Sequence, residues 1–300
     1  PFAGRQAWGP ALKRAGIIPP RMNCSVVIPV YRGEQTLDLL IERLALVLPN
    51  VADSYEVVLV NDGSPDNSWA VIERLAEKYG WVRGIDLMRN YGQHNAVLCG
   101  IREARYEMIV TMDDDLQHPP EQIPLLMAKL NEGFDVVYGI PKKRPHSWWR
   151  NVFSVITKYV VSYVMGFKTV REIGSFRALR TSLRDAFNTY TGAEVLEDVL
   201  FSWGTTRFGS VEVEESPRTV GQSNYTFLKL VRVALLVLTS YTTLPLRFAS
   251  VIGFLFTLFG MGVFVYVLTT YFIAGSIPGF SFQASLIAIF SGVQLFALGI

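Results

Sequence analysis

The chain has 300 residues, 50% of them apolar and 18% charged, a balance too apolar for a disordered protein. A formal charge of +2 gives no case for a nucleic-acid partner, and two cysteines and three scattered histidines suit neither a disulfide framework nor a zinc or His-based metal centre. From Phe248 to Ile300 there is no Asp, Glu, Lys or Arg, which excludes an ordinary soluble protein.

Residues 1–22 show no periodic pattern and no long apolar run, so they read as a surface arm and not as a signal peptide. Residues 23–140 then alternate strand and helix signals. Cys24–Val30 is a short β-branched run, and Leu37, Leu40, Ile41, Leu44 and Leu48 repeat at helical spacing. Tyr55–Val60 reads as a second strand. Ser64-Pro65 reads as a helix start, with a capping serine and proline at the first helical position. Val82–Leu87, Met108–Met112 and Phe134–Tyr138 are further strand candidates with helices between them. Such alternation predicts an α/β fold with a mostly parallel sheet covered on both faces. Ligands of such sheets bind at the carboxyl ends of the strands.

The back of the chain has a different character. Thr226–Arg247, with Lys229 and Arg232 one turn apart among leucines and valines, reads as an interfacial amphipathic helix. Phe248–Ile273 and Phe282–Ile300 read as two transmembrane helices around a Gly275–Ser281 turn. The second reaches the last residue without flanking charge, so the natural chain is expected to continue. The alternative is a buried helical hairpin in a soluble domain. Arg218, Lys229, Arg232 and Arg247 precede the hairpin with no acidic residue after Glu215, which puts the front domain on the cytoplasmic side. The expected division is thus an arm at 1–22, a catalytic domain at 23–225, an interfacial helix at 226–247 and a membrane hairpin at 248–300.

Three strand ends carry the residues able to do chemistry: Pro29-Val-Tyr31, Asn61-Asp62-Gly63-Ser64 and Asp113-Asp114-Asp115-Leu116-Gln117. Three consecutive aspartates after an apolar strand are costly unless a cation offsets them, and a hard divalent ion held by oxygens is the simplest such partner. If the strand persists, Asp113 and Asp115 share one face and Asp114 looks away. The bland reading is a solvated acidic turn. There is no G-x-G-x-x-G and no G-x-x-x-x-G-K-[ST], so dinucleotide oxidoreductases and P-loop proteins are excluded. Lys142, Lys143, Arg144 and Arg150 follow the fifth strand and could meet a diphosphate. His94, His118 and His146 read as structural or peripheral, and Cys24 and Cys99 as small buried hydrophobes.

Taken together, Ser25-Val-Val-Ile-Pro-Val-Tyr31, Asn61-Asp-Gly-Ser64, Asn90-Tyr-Gly-Gln-His94 and Asp113-Asp-Asp-Leu-Gln-His-Pro-Pro-Glu121 resemble the family 2 glycosyltransferases of GT-A fold. The likeness covers residues 23–300 and is strongest to the polyprenyl-phosphate glycosyltransferases. Asn90–His94, Ser147-Trp-Trp-Arg150 and Gly221-Gln-Ser-Asn-Tyr225 bring the chain nearest to the undecaprenyl-phosphate aminoarabinose-type transferases. The resemblance implies a GT-A, Rossmann-like domain, a nucleotide-sugar donor with UDP favoured, a polyprenyl phosphate acceptor, Mg²⁺ or Mn²⁺, and a homotetramer in the bacterial cytoplasmic membrane. It implies that Pro29, Tyr31, Glu34, Asp62, Asn90, Gly92, Asp113 and Asp114 meet the nucleotide. Asp113, Asp115 and Gln117 would hold the metal. Arg144, Arg150, Arg218, Ser223 and Tyr225 would meet phosphate or lipid, and Glu172 and Asp198 are the candidate bases beside the catalytic Asp115. The chain departs from the family at Arg32-Gly33, where Asn-Glu is usual and Glu34 would stand in, at Asn61 for Asp, and at Asn224 for Lys. Glu172 replaces a common aspartate. The competing readings are a processive polysaccharide synthase, for which no Gln-x-x-Arg-Trp is present, a soluble nucleotidyltransferase, and a non-catalytic membrane-tethered nucleotide-sugar binder.

Overall fold

The computed structural model describes residues 21–141, 174–192, 195–216, 244–275 and 279–298. They fall into two compact units divided between Thr226 and Phe227. The first unit is built on a seven-stranded sheet of β1 (Cys24–Val30), β2 (Tyr55–Asn61), β3 (Val82–Asp86), β4 (Met108–Thr111), β5 (Val136–Pro141), β6 (Arg177–Arg180) and β7 (Phe208–Val213). Its spatial order is β3-β2-β1-β4-β6-β5-β7. All pairings are parallel except those of β6, which runs antiparallel to β4 and β5. The expected mostly parallel sheet is therefore present. Helices α1 (Leu37–Val51), α2 (Ser68–Lys78), α3 (Gln93–Glu103) and α4 (Ile123–Leu130) connect the first five strands, and α5 (Glu197–Gly204) precedes β7.

β1 is buried along its whole length and β2 from Glu56 onward, which is why Val26–Val30 and Val57–Val60 read as apolar runs. The core gathers Val26, Ile28 and Leu59 with Leu40, Ile41 and Leu44 of α1, the helical repeat read in the sequence. Pro29 sits inside this sheet without breaking it. β1 pairs with β2 as far as Val30, but its ladder with β4 ends at Val27 opposite Thr111. Val27 turns its carbonyl toward β4, so Pro29, two residues on, turns its missing N–H to the side where that ladder has ended. The parting of β1 from β4 opens a crevice at the point where the strand order reverses.

Several boundaries differ from the sequence reading. β4 stops at Thr111, so Asp113–Asp115 lie in a turn and do not alternate as a strand. The fifth strand starts at Val136, because Asp135 is drawn out to Arg207. The helix expected at Ser64-Pro65 begins at Ser68. Ser64 accepts from the Arg32 backbone N–H at 3.2 Å, and its own N–H donates to Asn61 Oδ1 at 3.3 Å, so it belongs to the loop.

The second unit contains α6 (Leu244–Ala274) and α7 (Gly279–Leu298). The apolar part of α6, Leu246–Ile273, has 28 residues and is long enough to cross a membrane, whereas that of α7, Phe282–Leu298, is shorter. Pro245 and Arg247, expected to close an interfacial segment, instead stand in the first turn of α6, where proline leaves no helical hydrogen bond unmade. Residues 226–243 lie outside the described residues. The two helices pack antiparallel through glycine: a Cβ on Gly253 would meet Phe296 N at 2.4 Å and Gly292 O at 2.6 Å, and one on Gly260 would meet Ile289 N at 2.8 Å. Phe248, Phe259 and Ile287 face outward, each 66% exposed. An apolar hairpin with its large side chains outside and its glycines inside is the inverse of a soluble core.

Candidate active site

The crevice is floored by the loops after β1, β2 and β4. Two residues other than glycine take positive φ here, Arg32 and Leu116, both at +61°. Backbone held this way is strained and collects at functional sites. After β1, Tyr31 is 46% exposed with the Arg32 guanidinium 5.5 Å from its ring centroid. Glu34 turns away: its carboxylate accepts from the Asn67 backbone N–H at 3.3 Å and side-chain amide at 3.2 Å, at the start of α2.

After β2, Asp62 is buried and both its oxygens are occupied by backbone amides, Tyr91 N at 2.7 Å and Gly92 N at 2.9 Å. Asp62 thus shapes the loop that carries Asn90 and Gly92. Gly63 must be glycine, since its φ is +59° and a Cβ would lie 2.5 Å from the backbone at Arg89 and Asn90.

After β4 come the three aspartates. Asp113 accepts from Gln93 Nε2 at 2.6 Å and from Ser175 Oγ at 2.6 Å. Burial raises its pKa, and Asp115 adds to this against the opposing pull of Ser175. Asp114 does not face away. It points to the loop after β1, where a Cβ on Gly33 would lie 2.5 Å from its Oδ2. That oxygen is buried and has no hydrogen-bond partner among the described residues, and burial, with charge from Asp113 and Asp115, outweighs backbone hydrogen bonds from Tyr31 and Asp114 and pushes the carboxyl up to about 7. Asp115 Oδ1 accepts from Gln117 N at 3.1 Å, and Gln117 O accepts from Ser216 N at 2.8 Å, so the Leu116 turn is tied at both ends.

Among the described residues no three His, Cys, Asp or Glu side chains form a metal cage. A hard divalent ion nevertheless fits this edge. The donors are carboxylate oxygens, Asp113 is held by neutral hydrogen-bond donors, and an orphaned carboxylate oxygen lies beside it. Ions such as Mg²⁺ are often held by one or two carboxylates, with ligand phosphates completing the shell.

A second buried network adjoins the first. Arg177 of β6 is 4% exposed and donates to Asp198 Oδ1 at 2.5 Å and to Thr111 Oγ1 at 3.1 Å, and lies 3.1 Å from Glu197 Oε1. Tyr138 donates to the same Asp198 oxygen at 2.8 Å. The other Glu197 oxygen is bonded to His94 Nδ1. Burial would lower the His94 pKa, but Glu197 overrides it and the pKa is raised. Thr111 in turn donates to Ser175 O at 2.7 Å, which links this network to the hydroxyl that holds Asp113. His94 is therefore part of the site's support and not peripheral. Arg177, Glu197, Ser175 and Gln93 are functional candidates that sequence reasoning missed. The one available signal was Gln93 and His94 inside the Asn90–His94 motif. Arg144, Arg150, Glu172, Arg218, Ser223 and Tyr225 lie outside the described residues.

The model of the glycosyl transferase family 2 matches residues 25–188. An undecaprenyl-phosphate 4-deoxy-4-formamido-L-arabinose transferase of Proteus mirabilis is 36% identical over 92% of this chain and 86% of its own length. One of the same name from Shewanella sediminis is 35% identical over 92% and 85%. Among solved structures, glucosyl-3-phosphoglycerate synthase of Mycobacterium tuberculosis, in complex with Mn²⁺, UDP and glucosyl-3-phosphoglycerate, aligns over 72% of this chain and 77% of its own with a TM-score of 0.52 at 17% identity. At that identity the likeness concerns the fold. With the family match extending over more than half of the chain and relatives matching nearly all of it, the protein belongs to glycosyl transferase family 2 and is a glycosyltransferase.

Proposed function

We propose that the enzyme transfers a sugar from a nucleotide-diphosphate sugar, with UDP favoured, to a polyprenyl phosphate at the cytoplasmic face of a bacterial membrane, with inversion at the anomeric carbon and in a homo-oligomeric assembly. The observation that carries the reading is the aspartate edge, with Asp113 pinned by neutral donors and Asp114 Oδ2 without a hydrogen-bond partner among the described residues, in a chain whose relatives are named for transfer to undecaprenyl phosphate. A span-length apolar helix supports the membrane location.

In this reading Tyr31 offers its exposed ring to the base, and Asp62 fixes the Asn90–Gly92 loop against the ribose. Asp113 and Asp115, with Gln117, would hold Mg²⁺ or Mn²⁺, which when bound supplies positive charge to the departing diphosphate. Ser175 and Gln93 keep the Asp113 oxygens aimed into the crevice. The acceptor is a phosphate monoester with a second pKa near ~6, so at neutral pH it is already a dianion and needs little help from a base. Asp198, held by Arg177 and Tyr138, is the candidate base within the described residues, with Glu172 the other. Arg144, Arg150, Arg218, Ser223 and Tyr225 would meet diphosphate and lipid phosphate. The test is to incubate the purified protein, Mn²⁺ and undecaprenyl phosphate with a panel of nucleotide sugars and weigh the lipid product. A glycolipid of the expected mass supports the reading. Hydrolysis or polymer formation without glycolipid would sink it in favour of another acceptor.

A further inference from the structure

β4 and β6 run antiparallel, and Thr111 opposite Arg177 is the last pair of their ladder. Thr111 ends β4 and Arg177 begins β6. Carrying that register two residues past the ladder brings Asp113 opposite Ser175. That is the contact observed, with Ser175 Oγ donating to Asp113 Oδ2 at 2.6 Å. A side chain bridges the two segments at this point: Thr111 Oγ1 donates to Ser175 O at 2.7 Å.

The direction of that bond is fixed by its surroundings. Thr111 is buried, and its hydroxyl has one proton to give. Arg177 Nε lies 3.1 Å from the same oxygen and can only donate, so the hydroxyl accepts there and its proton goes to Ser175 O. Arg177 is itself held by Glu197 and Asp198. Thr111 therefore ties a guanidinium that is already anchored to the main chain of the residue that pins Asp113. If this position were only a strand residue, valine would fit it: it has the same shape, a high strand preference and no polar group to satisfy.

We propose that Thr111 is a positioning residue of the aspartate edge: its hydroxyl fixes the Ser175 main chain, so that the Ser175 hydroxyl holds the Asp113 carboxylate in the orientation that meets the metal and diphosphate. This rests on the reading of Asp113 as a metal ligand. The test follows Mn²⁺ binding to the full chain in detergent by electron paramagnetic resonance, at saturating UDP. Thr111→Val keeps the shape and removes the hydroxyl. It should weaken Mn²⁺ binding about 10-fold, the low end of the ~10–100-fold cost of removing an outer partner of a metal ligand. Ser175→Ala should cost at least as much, and adding Thr111→Val to it should change little, because both act on one contact. Thr111→Ser should restore most of the affinity. Thr181→Val makes the same chemical change just past the other end of β6, where the hydroxyl donates to Tyr106 O, and should leave Mn²⁺ binding as it is. If Thr111→Val does not fold, Thr111→Cys, close in size and a weak hydrogen-bonding partner, takes its place. Native affinity in the folded Thr111 variant, no recovery in Thr111→Ser, full additivity with Ser175→Ala, or an equal loss in Thr181→Val would overturn the proposal. The native chain separates the two readings. If it shows no UDP-linked Mn²⁺ binding, the metal role of Asp113 falls and this inference with it; if it binds and Thr111→Val binds equally, only the role of Thr111 falls.

Discussion

The two ends of the central strands bury acidic side chains in opposite ways. At the amino end, Glu56 accepts from Ser25 Oγ at 2.8 Å, the Arg105 backbone N–H at 2.8 Å and Arg83 Nε at 2.9 Å. Every oxygen is satisfied and a guanidinium balances the charge. At the carboxyl end, Asp113 is held by an amide and a hydroxyl, Asp114 keeps an orphaned oxygen, and burial raises both pKa values. The buried guanidinium nearby, Arg177, is committed to Glu197 and Asp198. A buried acid with its own cation holds the fold together. Acids crowded together on neutral donors leave a charge for something else to meet, and the proposed function takes that charge to be met by a cation.

The contrast can be broken hardest at Arg177. Arg177→Met removes the cation from Glu197 and Asp198, and stranding buried charges of this kind costs ~3–5 kcal/mol. Chemical denaturation should show that loss, with activity falling only as the folded fraction falls if Arg177 is purely structural; a further fall per folded molecule marks its hold on Asp198. Next comes Asp115→Asn, which keeps the shape and removes one charge. Glycolipid formation should drop ~10²–10³-fold, the usual effect of deleting one preorganised electrostatic contact, while the midpoint of unfolding stays put. Asp114→Asn, which packs against Gly33 and lightens the crowding, should cost far less. Near-normal turnover in Asp115→Asn would reduce the cluster to an acidic turn.

The amino end gives the mirror result. Glu56→Gln should destabilise by ~1–3 kcal/mol, because the amide keeps an acceptor at only one of the two oxygen positions and no longer balances the Arg83 charge, and leave turnover per folded molecule unchanged. The smallest effect is at Asp135, where the Arg207 and Thr205 contacts outweigh burial and hold the pKa below its usual 3.8. A depressed carboxyl stabilises the fold above the unfolded value and loses that contribution as pH falls through the folded one. Thermal melts of Asp135→Asn should therefore run closer to those of the native chain as pH drops below about 3.8. A constant offset across pH would deny the ion pair.

What the sequence made legible followed from local physics. β1 and the middle of β2 are buried on both faces, so Val26–Val30 and Val57–Val60 had to be apolar, and those runs are plain to read. β6 was not legible: four residues, Arg177-Ala-Leu-Arg180, with arginine at both ends, carry no strand signature. It exists because β4 and β5 offer it edges on both sides. The aspartates stood out because three acids after an apolar strand are improbable without a use. Their supports did not, because Gln93 reaches Asp113 and Ser175 reaches it from 62 positions further along the chain, distances over which only the fold decides contact. The turn of Asp114 toward Gly33 is not legible for a simpler reason: side chains alternate only while a strand persists, and β4 ends at Thr111.

The central claim is that the carboxyl-end aspartates await a divalent cation carried with a diphosphate. Electron paramagnetic resonance of Mn²⁺, titrated into the full-length protein with and without UDP, addresses it without relying on turnover. The account expects UDP to tighten Mn²⁺ binding strongly in the native chain and in Glu56→Gln, and the effect to vanish in Asp113→Asn and Asp115→Asn. Mn²⁺ and UDP binding as well to those two variants as to the native protein would contradict it.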